Sequence, residues 1–317
     1  MILVPTPDNI AQAAQVIQSG GVVGVPTETV YGLAGSIASP ESIASIFRRK
    51  RRPQDNPLIV HISSLEQAAL LTTEDGLEII TRCNDLFWPG PLTVVVPCSS
   101  GVPTSVTAGL DTVAIRMPAH AVFRHLIECV DSPLAAPSAN VSGHPSPTTA
   151  EHVQHDHGQD LLILDGGPCL HGIESTVVRF ADDTIYVLRP GAIELDRLYD
   201  LGVARIVPSW EAGSDDRVRS PGIKYRHYAP HARVILCYSI EEAKEQLHRH
   251  IDGVVGLVSE YLLSEFEALP VRPLKVSTVF DEMRRADAMK TATIVVLCDQ
   301  TVVANHALIN RLLKSAG

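Results

Sequence analysis

Short apolar runs alternate with amphipathic stretches through the first two thirds of the chain. Six runs rich in Val, Ile and Leu predict strands: GGVVGVP, NPLIVHI, LTVVVP, TVAIRMP, LLILDGG and STVVRF. Between them, apolar residues spaced three and four apart predict helices, among them DNIAQAAQVIQSG, PESIASIFRRK, SLEQAALL and AVFRHLIECV. Strands that alternate with helices are typical of an α/β fold.

The alternation stops at residues 206–232 and then resumes. This stretch, IVPSWEAGSDDRVRSPGIKYRHYAPHA, follows neither period and is dense in Pro, Gly, Ser and charged residues, which is typical of a linker. After it, the strands VILCYSI, GVVGLVS and TIVVLCD alternate with three helical patterns. We therefore predict a domain over 1–205, a linker over 206–232 and a small three-layer α/β domain over 233–317.

Composition excludes several classes of protein. With 317 residues, 45% hydrophobic and 20% charged, the chain is too apolar to be disordered. No apolar stretch reaches the 18 residues that a membrane span needs, and the first ten residues do not resemble a signal sequence. The six cysteines form no CxxC pair, which disfavours a disulfide framework or a zinc ribbon. We expect a cytoplasmic protein with no membrane contact.

The charge is unevenly distributed. Residues 1–205 carry 12 Lys and Arg against 22 Asp and Glu, yet five of these cations are consecutive at 48–52. The run either complements the carboxyl end of a solvated helix or forms a local anion site. A nucleic-acid groove needs cations spread over a face, so the pattern favours a compact phosphate-bearing ligand over a duplex.

Common nucleotide and hydrolase motifs are absent from the sequence. It contains no GxxxxGK[ST], GxGxxG, HExxH or GxSxG. The candidate chemistry lies instead in polar clusters at the ends of predicted strands, where α/β proteins place their sites.

Three clusters could bind a small polar ligand. PTETVYG, at 26–32, offers two hydroxyls, a carboxylate and a phenol, but it also fits an ordinary helix cap. His61 alternates with apolar neighbours, so it is either a core histidine or a ligand-binding one. Arg116 shares a strand face with Thr112 and must meet a carboxylate, which either the protein or a substrate supplies.

Further clusters supply cations, hydroxyls and glycines. Lys50, Arg52 and Asn56 lie on a loop stiffened by two prolines, which suits phosphate binding. The loop 138–146 presents hydroxyls and backbone amides that could hold an anion, although its composition is also that of an ordinary loop. The segment 165–176 and Arg189 add paired glycines and another cation. No histidine pair has the spacing expected of metal ligands, so we predict no protein metal site.

Eight motifs in this order resemble the long, two-domain form of the YrdC family, the L-threonylcarbamoyl-AMP synthases. They are PTETVYGL, KRRPQDNPL, FWPGPLT, AIRMP, APSAN, GIESTVV, LRPG and SPGIKYRHYAP. The resemblance implies an open, twisted mixed sheet with helices, followed by a Rossmann-like C-terminal domain. It also implies an enzyme that condenses L-threonine, bicarbonate or CO2, and ATP into threonylcarbamoyl-AMP and pyrophosphate.

The resemblance further implies a role for the product and for individual residues. A separate transferase complex would place the threonylcarbamoyl group on adenosine 37 of tRNAs that read ANN codons. Mg²⁺ would arrive on the ATP phosphates. Lys50, Arg52 and Arg116 would be the catalytic cations. The residues implied at threonine are Thr29, His61, Arg116, Ala136 and Ser175. Those implied at the nucleotide are Lys50, Arg52, Asn56, Thr112, Ser138, Ser146, Arg189 and, in a lid formed by the linker, Tyr225 with Lys224 and His227.

Two alternative functions remain open on the sequence. Members of the family are also described as binding RNA, so the basic run at 48–52 could give a weak tRNA contact. A carbamoyl-transferring maturation factor shares the first domain, but such proteins carry acylphosphatase and zinc-finger modules for which the sequence has no counterpart.

Overall fold

Two compact units make up the chain in the computed structural model, which describes residues 1–209, 228–250 and 252–317. The first unit holds residues 1–142 and 147–209. The second holds 143–146, 228–250 and 252–317. Four residues from the first part of the sequence thus belong to the second unit.

A large mixed sheet forms the centre of the first unit. Its strands are β1 (Ile2–Leu3), β2 (Val23–Val25), β3 (Gly32–Ser36), β4 (Ile59–His61), β5 (Leu92–Pro97), β6 (Thr112–Arg116), β7 (Leu134–Ala135), β8 (Leu162–Leu164), β9 (Thr176–Ala181), β10 (Thr184–Arg189) and β11 (Arg205–Pro208). Within the described residues, neighbours follow the order β1-β8-β2-β3-β7-β4-β6-β5-β9-β10-β11. Pairs such as β4–β6 are parallel, whereas β5–β6 and β9–β10 are antiparallel.

Helices cover this sheet, and five of the seven α-helices described in it begin at a side-chain cap. They are α1 (Pro7–Gln18), α2 (Pro40–Lys50), α3 (Leu65–Ala69), α4 (Glu74–Phe87), α5 (Thr104–Thr107), α6 (Ala121–Val130) and α7 (Ala150–His157), with a 3₁₀ helix at Leu195–Leu201. In α2 the Ser39 hydroxyl accepts from the Ser42 amide at 3.1 Å, and Pro40 occupies the first turn, where it costs no hydrogen bond. Arg51 ends α2 in the left-handed conformation, which turns the chain toward Arg52.

Apolar residues on both faces of the sheet form the core of the first unit. On one face, α1 buries Ile10, Ala13, Ala14 and Ile17, which recur at the spacing of one helix stripe. They pack with residues of α6, among which Phe123 is fully buried. Burial of such side chains fixes α1 and α6 on the sheet and so fixes the loops that follow the strands.

The second unit is a smaller parallel α/β unit. Its strands are β12 (Arg233–Cys237), β13 (Val254–Val258), β14 (Val271–Pro273) and β15 (Thr293–Leu297), in the order β12-β15-β13-β14. Its helices are α8 (Ile240–Arg249), α9 (Val279–Ala288), α10 (Gln300–Ala304) and α11 (His306–Ala316), with 3₁₀ turns at Glu260–Phe266 and Val276–Thr278.

The predicted fold class, a mixed sheet with helices followed by a smaller α/β domain, is confirmed. Two details differ from the predicted boundaries. Residues 206–208, which we assigned to the linker, belong to β11, and 143–146 belong to the second unit. The rest of the predicted lid, including Tyr225, lies mostly in 210–227, outside the described residues. Among the described helices, none combines the length and apolarity needed to cross a membrane.

Candidate active site

The loop that follows β2 places two threonine hydroxyls side by side. The Thr27 hydroxyl donates to the carbonyl of Val30 at 2.7 Å and accepts from the amides of Thr29 and Val30. The Thr29 hydroxyl lies 2.8 Å from that of Thr27, and either of the two can be the donor. The loop is therefore held by its own hydroxyls.

Arg116 ends β6 beside His61, which ends the parallel strand β4 in the same register. Its guanidinium, which is buried, donates to the Thr29 hydroxyl at 3.0 Å, to a Glu28 carboxylate oxygen at 2.6 Å and to the carbonyl of Gly90 at 3.2 Å. These contacts occupy three of the five guanidinium N–H groups. The protein itself therefore supplies one carboxylate partner of Arg116, and donors remain that could face a ligand.

Glu28 is held as a buried carboxylate. Burial disfavours its charged form, but the charge and hydrogen bond of Arg116, together with the Ala119 amide at 3.0 Å, bring its pKa below the ordinary value. The Glu28–Arg116 pair is thus ionised at neutral pH.

His61 is buried and uncharged at the edge of this pair. Burial and the neighbouring Arg116 charge hold its pKa well below the usual value. Its ring lies 5.2 Å from that of Phe123, and its Nδ1 atom has no hydrogen-bond partner among the described residues. His61 therefore supplies no charge to the site.

Ser175 lies in a second polar group, at the start of β9. Its hydroxyl is 2.7 Å from that of Thr93, and Arg189 donates to its hydroxyl at 3.0 Å and its carbonyl at 2.9 Å. Gly191 packs so closely on this backbone that a Cβ there would lie 2.3 Å from the carbonyl carbon of Ser175. Arg189, which we predicted to bind the nucleotide, is thus hydrogen-bonded to Ser175, which we predicted to bind threonine.

The segment Gly90–Pro91 connects the two polar groups. The Gly90 carbonyl accepts from Arg116, and the Pro91 carbonyl accepts from the amide of Thr176 at 3.0 Å. Ala136, also predicted at threonine, follows β7, where its amide donates to the carbonyl of Ile59 at 3.1 Å. The Ala136 amide is therefore engaged in the sheet.

The predicted nucleotide residues gather around the end of α2. Lys50 is buried, and its ammonium donates to the carbonyl of Ser138 and, at 2.6 Å, to that of Asn140. A buried ammonium requires such acceptors. The Ser138 hydroxyl donates to the Asn140 side chain at 2.6 Å. Lys50 thus fixes the APSAN loop.

Arg52 and Asn56 form an adjacent group on the proline-stiffened loop. Arg52 donates to the carbonyl of Asn56 at 3.3 Å and to that of Pro57 at 2.8 Å. Thr112 begins β6, four residues and about 13 Å of strand from Arg116. Because β6 runs parallel to β4, Thr112 lies toward the end of β4 that follows Asn56, and not at the Arg116 end.

Two further predicted residues lie outside the described part of the first unit. Ser146 is fully buried within 143–146 of the second unit. Tyr225 and its neighbours Lys224 and His227 lie outside the described residues. In the described stretches, no three His, Cys, Asp or Glu side chains converge as metal ligands do.

The structure adds Thr93, which no predicted cluster contained. It also gives contacts to members of the predicted clusters that were assigned no individual role: Thr27, Glu28, Tyr31 and Asn140. Tyr31 is an example: burial raises the pKa of its hydroxyl, which donates to the carbonyl of Gly167 at 2.8 Å. Both Glu28 and Tyr31 belong to the PTETVYG motif. Its composition indicates a polar cluster, but not which residues these side chains contact.

Comparison with known proteins identifies the family of both units. Residues 15–191 match the Sua5, YciO and YrdC family model described as telomere recombination, and 193–317 match the model of the threonylcarbamoyl-AMP synthase C-terminal domain. The chain is 39% identical over 325 residues to the Bacillus subtilis threonylcarbamoyl-AMP synthase, covering 97% of this chain and 93% of that one. It is 44% identical over 252 residues to the Pyrococcus abyssi threonylcarbamoyl-AMP synthase, covering 78% and 72%.

The crystal structure of Pyrococcus abyssi Sua5 complexed with L-threonine superposes with a TM-score of 0.87 at 38% identity, over 97% of this chain and 94% of that one. Escherichia coli YciO, at 20% identity and a TM-score of 0.54 over 62% of this chain, shares the fold of the first unit. The predicted family is confirmed. The chain belongs to the Sua5/YrdC family of threonylcarbamoyl-AMP synthases, in its two-domain form.

Proposed function

We propose that this protein condenses L-threonine, bicarbonate or CO2, and ATP into threonylcarbamoyl-AMP and pyrophosphate. The observation that carries the proposal is the match of both units, nearly end to end, to a threonylcarbamoyl-AMP synthase. The site geometry supports it, because a buried arginine, histidine and hydroxyl cluster lies in the same unit as a group of cations around α2. In the cell, the product would supply a separate transferase complex that modifies adenosine 37 of ANN-decoding tRNAs.

Threonine would bind at the Arg116 group. Two guanidinium N–H donors not used by Thr29, Glu28 and Gly90 can meet the threonine carboxylate, and Ser175 and His61 offer further hydrogen bonds. Ala136 would line this space through its backbone.

The nucleotide would bind at the cations around α2. Lys50 and Arg52 are held by carbonyl oxygens on stiff segments, which preorganises positive charge for the phosphates. Other residues proposed to contact the nucleotide are Asn56, Thr112, Ser138, Ser146, Arg189 and Tyr225.

The reaction joins two anions, so charge neutralisation is its main demand. The threonine amine attacks CO2 to give a carbamate, whose oxygen then attacks the α-phosphorus while pyrophosphate leaves. Without cations, the carbamate and the triphosphate repel each other. Lys50, Arg52 and Arg116 would offset this repulsion while the protein aligns the two reactants.

Mg²⁺ would accompany the triphosphate as its counter-ion. Mg²⁺ prefers oxygen ligands and commonly takes them from substrate phosphates and water. The donor set of the described site, which is rich in cations, hydroxyls and carbonyls, suits a metal carried by the phosphates better than one held by a protein cage. Bound in this way, it would withdraw charge from the α-phosphate.

The cytoplasmic location of the protein stays a prediction.

A direct tRNA contact also stays a prediction. Of the run 48–52, Arg48 and Arg51 are exposed, whereas Lys50 is buried and Arg49 pairs with Asp160 at 2.9 Å. Two exposed cations at one helix end supply little of the charge that RNA binding needs. Filter binding of tRNA over a series of salt concentrations tests this contact. Tight binding that weakens steeply as the salt concentration rises would support it.

The activity can be tested directly. Purified protein incubated with L-threonine, bicarbonate, MgATP and pyrophosphatase should form threonylcarbamoyl-AMP, detected by mass spectrometry. Omission of threonine or bicarbonate is the control and should abolish the product. ATP left unconsumed in the complete mixture would refute the proposed function.

A further inference from the structure

Thr93 lies on the same face and at the same edge of the large sheet as several residues proposed for threonine. On this face β4, β6, β5 and β9 each contribute one residue to an apolar cluster: Ile59, Ala114, Val95 and Val177. Side chains two positions apart on a strand point to the same face. The polar residues two positions from these, in the same order, are His61, Arg116, Thr93 and Ser175. Thr93 therefore belongs to a row of polar side chains at one edge of this face.

The strand register places Thr93 between Arg116 and Ser175. β5 runs antiparallel to β6, with Val94 paired to Ile115. At the next position in this register, Thr93 lies opposite Arg116. On its other side, β5 runs parallel to β9, which begins just after Ser175. The hydroxyls of Thr93 and Ser175 are 2.7 Å apart, so Thr93 contacts the row directly.

The Ser175 hydroxyl oxygen accepts one hydrogen bond whose direction is fixed by chemistry. A guanidinium can only donate, so Arg189 donates to this oxygen, at 3.0 Å. That bond uses one of the two lone pairs of the oxygen. In the pair formed with Thr93, either hydroxyl can be the donor. The direction of the Thr93–Ser175 bond thus decides whether Ser175 has a proton to offer a ligand.

Burial favours one of the two directions. Thr93 is fully buried, and among the described residues its hydroxyl has Ser175 as its single hydrogen-bond partner. If Ser175 donated to Thr93, the Thr93 proton would stay buried without an acceptor, which is unfavourable whether or not a ligand is bound. If Thr93 donates to Ser175, the remaining proton is that of Ser175, which a ligand at the proposed threonine site can accept.

We propose that Thr93 is a positioning residue for threonine, and that it acts by donating to Ser175. With its lone pairs occupied by Thr93 and Arg189, the Ser175 hydroxyl directs its own proton at an oxygen of the bound amino acid. Because Arg116, opposite Thr93, is proposed to bind the threonine carboxylate, that carboxylate is the acceptor that the arrangement favours. The inference rests on the proposed function, which places threonine at Ser175.

Removal of the Thr93 hydroxyl tests this role. Thr93→Val keeps the branched shape of the side chain but cannot donate, so the KM for threonine should rise about five-fold, the factor expected of one hydrogen bond. The KM for ATP should stay at the wild-type value. Thr93→Ser restores the hydroxyl and should return the KM for threonine to within about two-fold of the wild type. Valine favours strands, so the variant should fold, which urea denaturation checks.

A double-mutant cycle shows whether Thr93 acts through Ser175. In a Ser175→Ala background the oxygen that Thr93 serves is absent, so Thr93→Val should raise the KM for threonine no further. Two effects that multiply in the double variant would mean that Thr93 acts by another route.

Thr293→Val is the matched control. Thr293 is a buried strand threonine at the start of β15 in the second unit, and its hydroxyl makes no hydrogen bond within the part of the chain that the structure describes. This variant should keep the wild-type KM for both substrates.

The outcomes distinguish this inference from the proposed function. A wild-type protein that forms no threonylcarbamoyl-AMP would refute the proposed function, and the role of Thr93 with it. With an active wild type, three results would each overturn the role of Thr93 alone. They are an unchanged KM for threonine in Thr93→Val, equal changes in the KM for threonine and for ATP, and an effect that multiplies with that of Ser175→Ala.

Discussion

The guanidinium of Arg116 has two carboxylate partners, one observed in the protein and one proposed in the substrate. It binds Glu28 within the protein and is proposed to bind the carboxylate of threonine, so its planar fork must serve both carboxylates. The Thr29 and Gly90 contacts hold that fork in place. Glu28 thus orients Arg116 and leaves the remaining guanidinium N–H groups available to a ligand.

Replacement of single cations should separate the two substrates. Arg116→Ala should raise the KM for threonine about 10- to 100-fold, since a charge-assisted hydrogen bond contributes roughly 1.5–3 kcal/mol, with a much smaller effect on the KM for ATP. Arg52→Ala should do the reverse. Steady-state kinetics with each substrate varied would show this, and equal changes in both constants would contradict the assignment.

Glu28→Gln should lower the free energy of unfolding by about 3 kcal/mol at pH 7, because it leaves the Arg116 charge buried without its partner. The pKa of Glu28 is lowered in the folded protein, so its contribution is present above the unfolded pKa of about 4.5 and is lost as pH falls through the folded value. Urea denaturation at several pH values should therefore show the difference from wild type vanish in acid.

Glu194→Gln is the control for this measurement. Glu194 is exposed in the same unit, so its replacement should leave stability at pH 7 close to that of the wild type. If Glu28→Gln were as stable as the control at pH 7, the buried pair would contribute nothing to folding.

Elements differ in how well the sequence predicts them. Runs of β-branched residues, as in β5 and β6, were predicted because they favour strands. β3, with the sequence GLAGS, has small residues with weak strand preference and takes its structure from pairing with β2 and β7. We did not predict α4, which carries Gly76 in its first turn but is capped by Thr73.

The sequence predicted which residue types make up the candidate site, but not which residues contact one another in it. The cations of KRRPQDNPL and the hydroxyls of PTETVYG stand out locally, and the structure gathers most of them. The Glu28–Arg116 bond joins residues 88 positions apart, and the Ser175–Thr93 contact spans 82. Such partners depend on the order of strands in the sheet, which local pattern does not determine.

Gly191 sets how closely the β10 end approaches the start of β9. A Cβ there would meet the backbone of Ser175 and Thr176 at 2.3–2.4 Å, and backbone cannot swing aside as a side chain can. Gly191→Ala should therefore cost about 1–3 kcal/mol of stability and lower activity by displacing Ser175. The measurements are urea denaturation and the synthesis assay.

Gly101→Ala serves as the matched substitution for Gly191→Ala. The nearest atoms to its Cβ would be 3.8 Å away, so we expect wild-type stability and activity. Tolerance of Gly191→Ala at the level of Gly101→Ala would show that the close approach is dispensable.

At the scale of the whole molecule, four residues from the first part of the sequence, 143–146, belong to the second unit. Within that unit, Ala229 donates to the Gly143 carbonyl at 2.8 Å, and the rings of His144 and His231 lie 5.1 Å apart. The segment ends in Ser146, which we propose to contact the nucleotide. Contacts within the second unit therefore hold the segment that carries Ser146.

Arg284 tests the contribution of this segment, because its guanidinium donates to the Pro145 carbonyl at 2.6 Å, next to Ser146. Arg284→Ala should raise the KM for ATP several-fold, since a net hydrogen bond contributes about 1 kcal/mol, and should leave the KM for threonine unchanged. Arg285→Ala removes a mostly exposed neighbour 4.0 Å from Glu282 and should alter neither constant. If the two variants bound ATP alike, the second unit would not act through this segment, and Ser146 would need no support from α9.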